Sequence, residues 1–121
     1  MKKLILLLVV FISYESYSNE RTVNVDKSFV QWTGKEIPTK IHFGKLNISS
    51  GSINLDDNGV SGEVKVNMES LVVEDLQGEW GKKLEGHLKS DDFFSVDKFK
   101  ESSIKTTSST KKSDNSYEVQ G

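Results

Sequence analysis

The chain has no cysteine, a single proline and only two histidines in 121 residues. Each scarcity closes off a class. Without cysteine there is no disulfide framework, no thiolate nucleophile and no cysteine zinc site, so a domain of this size rests on its core or on a bound partner. Basic blocks are also missing. Lys111-Lys112 is among the densest basic spots beyond the N-terminus. An isolated, solvated pair is not the footprint of a nucleic-acid or anionic-membrane surface. Catalytic signatures are missing too, with no Gly-x-Ser-x-Gly elbow and no glycine-rich phosphate loop after a strand. Glu74-Asp75 reads as solvated charge at a strand end. Asn47-Ile48-Ser49 matches a glycosylation sequon, a triplet common by chance.

The longest apolar run, Leu4–Ile12, has nine residues, whereas crossing a bilayer takes about 20. It follows Lys2-Lys3 and ends near Ser16 and Ser18 in small-x-small spacing. That is the grammar of a secretory signal peptide over residues 1–18, with cleavage expected between Ser18 and Asn19. The protein is then periplasmic or secreted, without stable membrane insertion. The rival reading is an uncleaved anchor. Setting aside Lys2, Lys3 and Glu15 turns the net charge of −2 into −3. Residues 19–121 are long enough for one domain.

What this domain has in quantity is alternation. In "VSGEVKVNM", Val60, Gly62, Val64, Val66 and Met68 fall on one face, and Ser61, Glu63, Lys65 and Asn67 on the other. A period of two is a strand with one dry face. The pattern recurs in "TVNVD" (Val23, Val25), in "SINL" (Ile53, Leu55) and in "KIHFGKLNIS". In the last, Ile41 and Phe43 are followed by Leu46 and Ile48 after a phase shift at Gly44, where a bulge or bend is expected. "DDNG" (56–59) predicts a tight hairpin and "SSG" (49–51) a weaker turn. "SSTKKSDNS" (108–116) reads as a hairpin loop. The whole is a meander of short antiparallel strands, an all-β fold. The pattern breaks off at Gly121 in mid-strand, so the closing C-terminal strands are expected to be missing.

One helical segment interrupts the strands at about 79–95. Trp80, Leu84 and Leu88 form a stripe, supported by Glu79–Lys83 and Glu85–Lys89 pairs and weakened by Gly81 and Gly86. "LEGHLKSDDFF" (84–94) then admits two readings. In one, His87 packs beside Leu84 and Leu88, Ser90 caps a second short turn, and Asp91 and Asp92 sit at its positive end. In the other, His87 works with Asp91 or Asp92 in a hydrolytic or metal-dependent site. A zinc site wants three or four ligands at tight spacing. The other histidine, His42, lies far away in sequence.

"WTGK" (32–35), "HFG" (42–44), "SGSINLDDNGVSGEVKVNMESL" (50–71) and "GKKLEGHLKSDDFFSVDKF" (81–99) together resemble the YceI-like family. The Leu-x-x-His-Leu-x-Ser-x-Asp-Phe-Phe run is close to its signature. "DKFKESS" departs from it where a proline-containing segment is usual. The resemblance implies an exported lipocalin-like antiparallel β-barrel, with a polyisoprenoid or similar lipid held in a tunnel through it. No set of ligand residues transfers with the resemblance. Alternation therefore supplies the candidates: Val64, Val66 and Met68 as interior lining, with Trp32, Phe43 and Ile53 as neighbours. No cofactor, catalytic residue or metal is expected under this reading. A third reading is an interaction module whose barrel is filled by its own side chains.

Overall fold

The structure is a computed structural model that describes residues 19–57 and 59–121. The expected leader, residues 1–18, lies outside the described residues. The elements in order are β1 (Glu20–Thr22), β2 (Phe29–Ile37), β3 (Lys40–Asp56), β4 (Gly59–Val73), α1 (Gly78–Lys89), β5 (Glu101–Lys105), β6 (Ser108–Ser113) and β7 (Ser116–Gln120). Every strand pairing is antiparallel. β1 and β2 lie end to end along one edge of β3, β4 pairs its other edge, and β5 pairs β4. The β6–β7 hairpin continues along β4. Val60 N–H donates to Ser109 Oγ (3.0 Å), and Thr106 N–H donates to the Gly62 carbonyl (2.9 Å). Among the described residues this all-β sheet does not close on itself.

Two tight turns set the long hairpins. The lone proline, Pro38, lies in the β2–β3 turn, where Ile37 pairs Lys40. Its fixed φ suits a tight reversal. Asp56 pairs Gly59 across the β3–β4 turn as expected, with Gly59 at φ 126°.

Several local expectations are corrected. "SSG" is no turn. Residues 49–51 run inside β3, a continuous strand of 17 residues, and the extra residue is absorbed as a bulge between Ile48 and Ser50. A bulge and a turn ask for similar small residues, and the unbroken ladder to β4 decides between them. Val23 and Val25 lie beyond β1, because Asn24 closes a turn onto Lys27 N–H through both its carbonyl and its side chain. In "SSTKKSDNS" the reversal shrinks to Asp114-Asn115, and Ser108–Ser113 is strand. The helix ends at Lys89, and residues 91–94 and 96–98 are hydrogen-bonded turns.

The core is small and sits at one end of the sheet. Leu46, Met68, Leu71 and Val96 are buried, with Val30, Trp32, Val66 and Leu88 packed against them. α1 is tied down there by Glu85, which accepts from Val73 N–H (3.2 Å), and by Lys89, which donates to the Glu69 carbonyl (3.1 Å). The expected Glu85–Lys89 pair forms at 3.8 Å. The segment after α1 folds back through Ser95, whose φ of 46° is left-handed. Its amide and that of Val96 donate to Ser90 and Lys89 carbonyls, which brings Val96 into the core.

Candidate ligand-binding site

The strand register decides which residues share each face of the sheet. Trp32 pairs Gly44, Ile48 pairs Val66, Gly51 pairs Val64, and Val64 pairs Ile104. Directly paired residues share a face, so Trp32, Ile48, Val64, Val66, Ile53, Leu55 and Ile104 project to the side that carries the core. Near α1 this face is covered. Towards the far end it stays open, with Ile53 38%, Leu55 45% and Ile104 60% exposed. Met68 follows Val66 into the buried cluster, where Ser102 Oγ donates to its sulfur (3.2 Å). Of the six residues singled out by alternation, Trp32, Ile53, Val64, Val66 and Met68 therefore lie on the core side. Phe43 does not, since it is one residue from Gly44 and so projects from the opposite face. The phase shift read at Gly44 falls later in the chain, because β3 is regular from Ile41 to Asn47 against β2.

Trp32 is the hinge of the site. Its ring lies across Gly44, and its Nε1–H donates to the Val72 carbonyl at 3.1 Å. The ring faces a groove between α1 and the ends of β2 and β3. One half of the groove is about 380 Å³ and is lined by Trp32, Gly34, Lys35, Glu36, His42, Leu84, His87, Leu88 and Phe93. The adjoining half, about 460 Å³, shares Glu36, His42, Leu84 and His87 and adds Lys40, Leu76, Trp80 and Lys83. Residues from "WTGK", "HFG" and "LEGHLKSDDFF", separate in sequence, thus converge on one cleft.

Both histidines are held by aspartates. His42 Nδ1–H donates to Asp75 Oδ2 at 2.7 Å, and Asp75 Oδ1 also accepts from Phe43 N–H at 2.9 Å. A carboxylate cannot donate here, so the bond fixes the Nδ1–H tautomer. Asp75 is 15% exposed and is not the solvated charge expected at a strand end. Burial is the largest single influence on it and acts to raise its pKa. The amides of Phe43 and Asp75 and the His42 ring together outweigh burial and hold the carboxyl below its ordinary value. His87 Nε2–H donates to Asp92 at 3.2 Å and its ring meets Phe93 edge-on, although the side chain is 55% exposed. Asp91 faces away from this pair, accepting from Ser95 Oγ (2.9 Å) and Lys98 (3.3 Å). Among the described residues, no cluster of three or more His, Asp or Glu side chains could hold a metal ion.

The aspartate gives a pH prediction. A carboxyl with a depressed folded pKa adds stability that is complete above its unfolded value and is lost as pH falls through the folded one. Asp75→Asn is therefore expected to cost about 1–3 kcal/mol at pH 7. The gap from the wild type should narrow once the pH falls below about 4. Urea melts from pH 7 to pH 3 measure this, and a gap independent of pH would contradict it.

No helix among the described residues is long and apolar enough to cross a membrane. Neither a curated protein nor a solved structure matches the chain significantly. The family model for the YceI-like domain matches residues 22–121, from the end of β1 to the last residue. That span holds the whole open apolar face and every residue of the groove, and the chain belongs to the YceI-like family, as a binding protein of that family.

Proposed function

We propose that this protein holds a long apolar chain, a polyisoprenoid or related lipid, along the core-side face of its sheet, and that it does so outside the cytoplasm after loss of residues 1–18. The observation that carries the reading is the apolar strip of Ile53, Leu55, Val64 and Ile104, left open on the same face as the buried core. A continuous exposed apolar surface that adjoins a buried core marks a binding surface. Each methylene withdrawn from water there contributes about 0.8 kcal/mol, so ten supply roughly 8 kcal/mol before the costs of association. A chain of this kind needs no charged partner along its length, and this strip offers none. Met68 adds a flexible, polarizable wall where the strip meets the core.

The test compares two faces of the same hairpin. Ile53→Asp places a carboxylate on the apolar strip at a position exposed enough to tolerate folding. Ser61→Asp places the same group on the opposite face, on the neighbouring strand. With both variants folded by circular dichroism, lipid recovered per mole of protein by organic extraction and mass spectrometry should fall at least about tenfold for Ile53→Asp. It should stay at the wild-type level for Ser61→Asp. Equal recovery from the two would place the lipid elsewhere or show that none is held.

A further inference from the structure

We propose that the end of the molecule formed by the first turns of α1 and the β2–β3 hairpin docks reversibly on an anionic membrane surface. The inference deepens the proposed function and rests on it, because a long apolar chain is driven out of water and must be collected from a bilayer or delivered to one. Two elements distant in sequence meet at this end. The groove between them is lined by Glu36, Lys40 and His42 on the hairpin side and by Trp80, Lys83 and Leu84 on the helix side.

Trp80 continues the Leu84–Leu88 stripe by one turn, yet it is 71% exposed, more than any other large apolar side chain among the described residues. Across the groove, the hairpin carries Ile37 at 54% and Ile41 at 45% on either side of its turn. None of the three packs against the core. Lysines surround them. Lys35 and Lys40 flank the hairpin turn, and the Lys83 ammonium stands 5.5 Å from the centre of the Trp80 ring. Glu36 pairs with Lys40 at 2.8 Å, so a rim of three lysines and one glutamate keeps a positive excess. Glu79 and Lys82, beside Trp80 in α1, offset each other in charge. Asp75 and Asp92 are engaged by histidines. The chain as a whole is net negative, so the excess belongs to this end. These lysines form no basic block in the sequence, and the fold brings them together. Tryptophan favours the boundary between water and hydrocarbon, and lysine lays its stem on apolar surface while its ammonium stays among head groups. The adjoining half of the groove is lined by Trp32, which packs against the core. A bilayer docked here would therefore face the mouth that leads towards the apolar strip. That continuity, with the sign of the rim, favours a lipid surface over a protein partner.

The experiment uses the exported protein, free of its leader, so that the apolar run of residues 4–12 does not itself bind lipid. The probes are vesicles of phosphatidylcholine alone and of phosphatidylcholine with about one third phosphatidylglycerol. Sedimentation should bring down at least about fivefold more protein with the anionic vesicles, and added salt should remove most of the difference. Trp80→Ser and Lys83→Gln should each weaken binding to the anionic vesicles several-fold. Ile104→Ser, on the open strip, should leave it at the wild-type level. Circular dichroism checks the fold of each, and all three positions are exposed. Binding that falls with Ile104→Ser and not with Trp80→Ser would move the contact to the strip and overturn the proposal, as would equal binding to both vesicles. No binding to either, with lipid still present in organic extracts of the protein, would overturn the docking proposal and leave the apolar-chain reading standing. Absence of both would sink both. Self-association abolished by Trp80→Ser, without vesicle binding, would make this end a subunit interface, which also overturns the proposal.

Discussion

Gly44→Ala is expected to remove a large share of the stability of this protein. A Cβ at this position would fall 1.8 Å from the Val72 carbonyl oxygen and within 3 Å of the Trp32 indole. The oxygen belongs to the backbone of β4 and accepts the Trp32 N–H, so relief would require moving a strand that is pinned on both edges. Overpacking of this kind costs at least about 3 kcal/mol, against a total of roughly 5–15 kcal/mol for a small domain. The damage should also reach the groove, because the Trp32 ring must lift from the sheet. Gly86→Ala is the internal control. It lies in α1 with no neighbouring atom within 4 Å of the new methyl. Relief of helix entropy should stabilise it by about 0.5–1 kcal/mol. Urea denaturation of the pair decides the matter, and a Gly44→Ala midpoint equal to the wild type would mean that Trp32 does not lie flat on this glycine.

Leu71→Ala should be the next most damaging change. Leu71 is 1% exposed, and the described core has only Leu46, Met68 and Val96 beside it at similar burial. Truncating a buried leucine typically costs about 2–5 kcal/mol, and more when the site cannot collapse. Collapse is hindered here because Leu71 lies in an irregular stretch of β4. Between the Asn47–Asn67 and Lys45–Val72 pairs, residues 68–71 stand opposite Leu46 alone. Ser70 Oγ holds that stretch, accepting from Asn47 N–H (2.7 Å) and donating to the Asn67 carbonyl (2.6 Å). Phe99→Ala removes a larger side chain from a site that is 65% exposed and should change stability by no more than about 0.5 kcal/mol. Thermal melts that place both variants at the same midpoint would show that the core lies elsewhere.

The bulge at 68–71 also explains why the sequence showed the histidines separately and never as one site. The hairpin at Asp56–Gly59 was legible, and so was the alternation of Val60 to Met68 that follows it. Extended unbroken from that turn, the register would set His42 opposite Val73. One extra residue in β3 near Ser49 and three in β4 shift it by two, and His42 faces Asp75 instead. How many residues loop out depends on where hydrogen bonding resumes on the partner strand, a question local pattern does not answer. The same limit hid the side taken by Phe43, since the apolar residues before and after Gly44 are out of phase and local pattern does not say whether the strand bulges between them.

What the sequence determined by itself is the local grammar. Period-two alternation made the strands and their dry face, the turn between Asp56 and Gly59 made the long hairpin, and the Leu84–Leu88 stripe made α1. It also carried the family resemblance, because order and spacing are linear properties. Only the tertiary structure decided which face Phe43 joins, that "SSG" is a bulge inside β3, and that His42 and His87 share a groove with Trp32. These are outcomes of strand register and of where α1 lands on the sheet. Both are fixed by contacts between residues distant in sequence: Trp32 with Val72 and His42 with Asp75 for the register, Val73 with Glu85 and Glu69 with Lys89 for the helix.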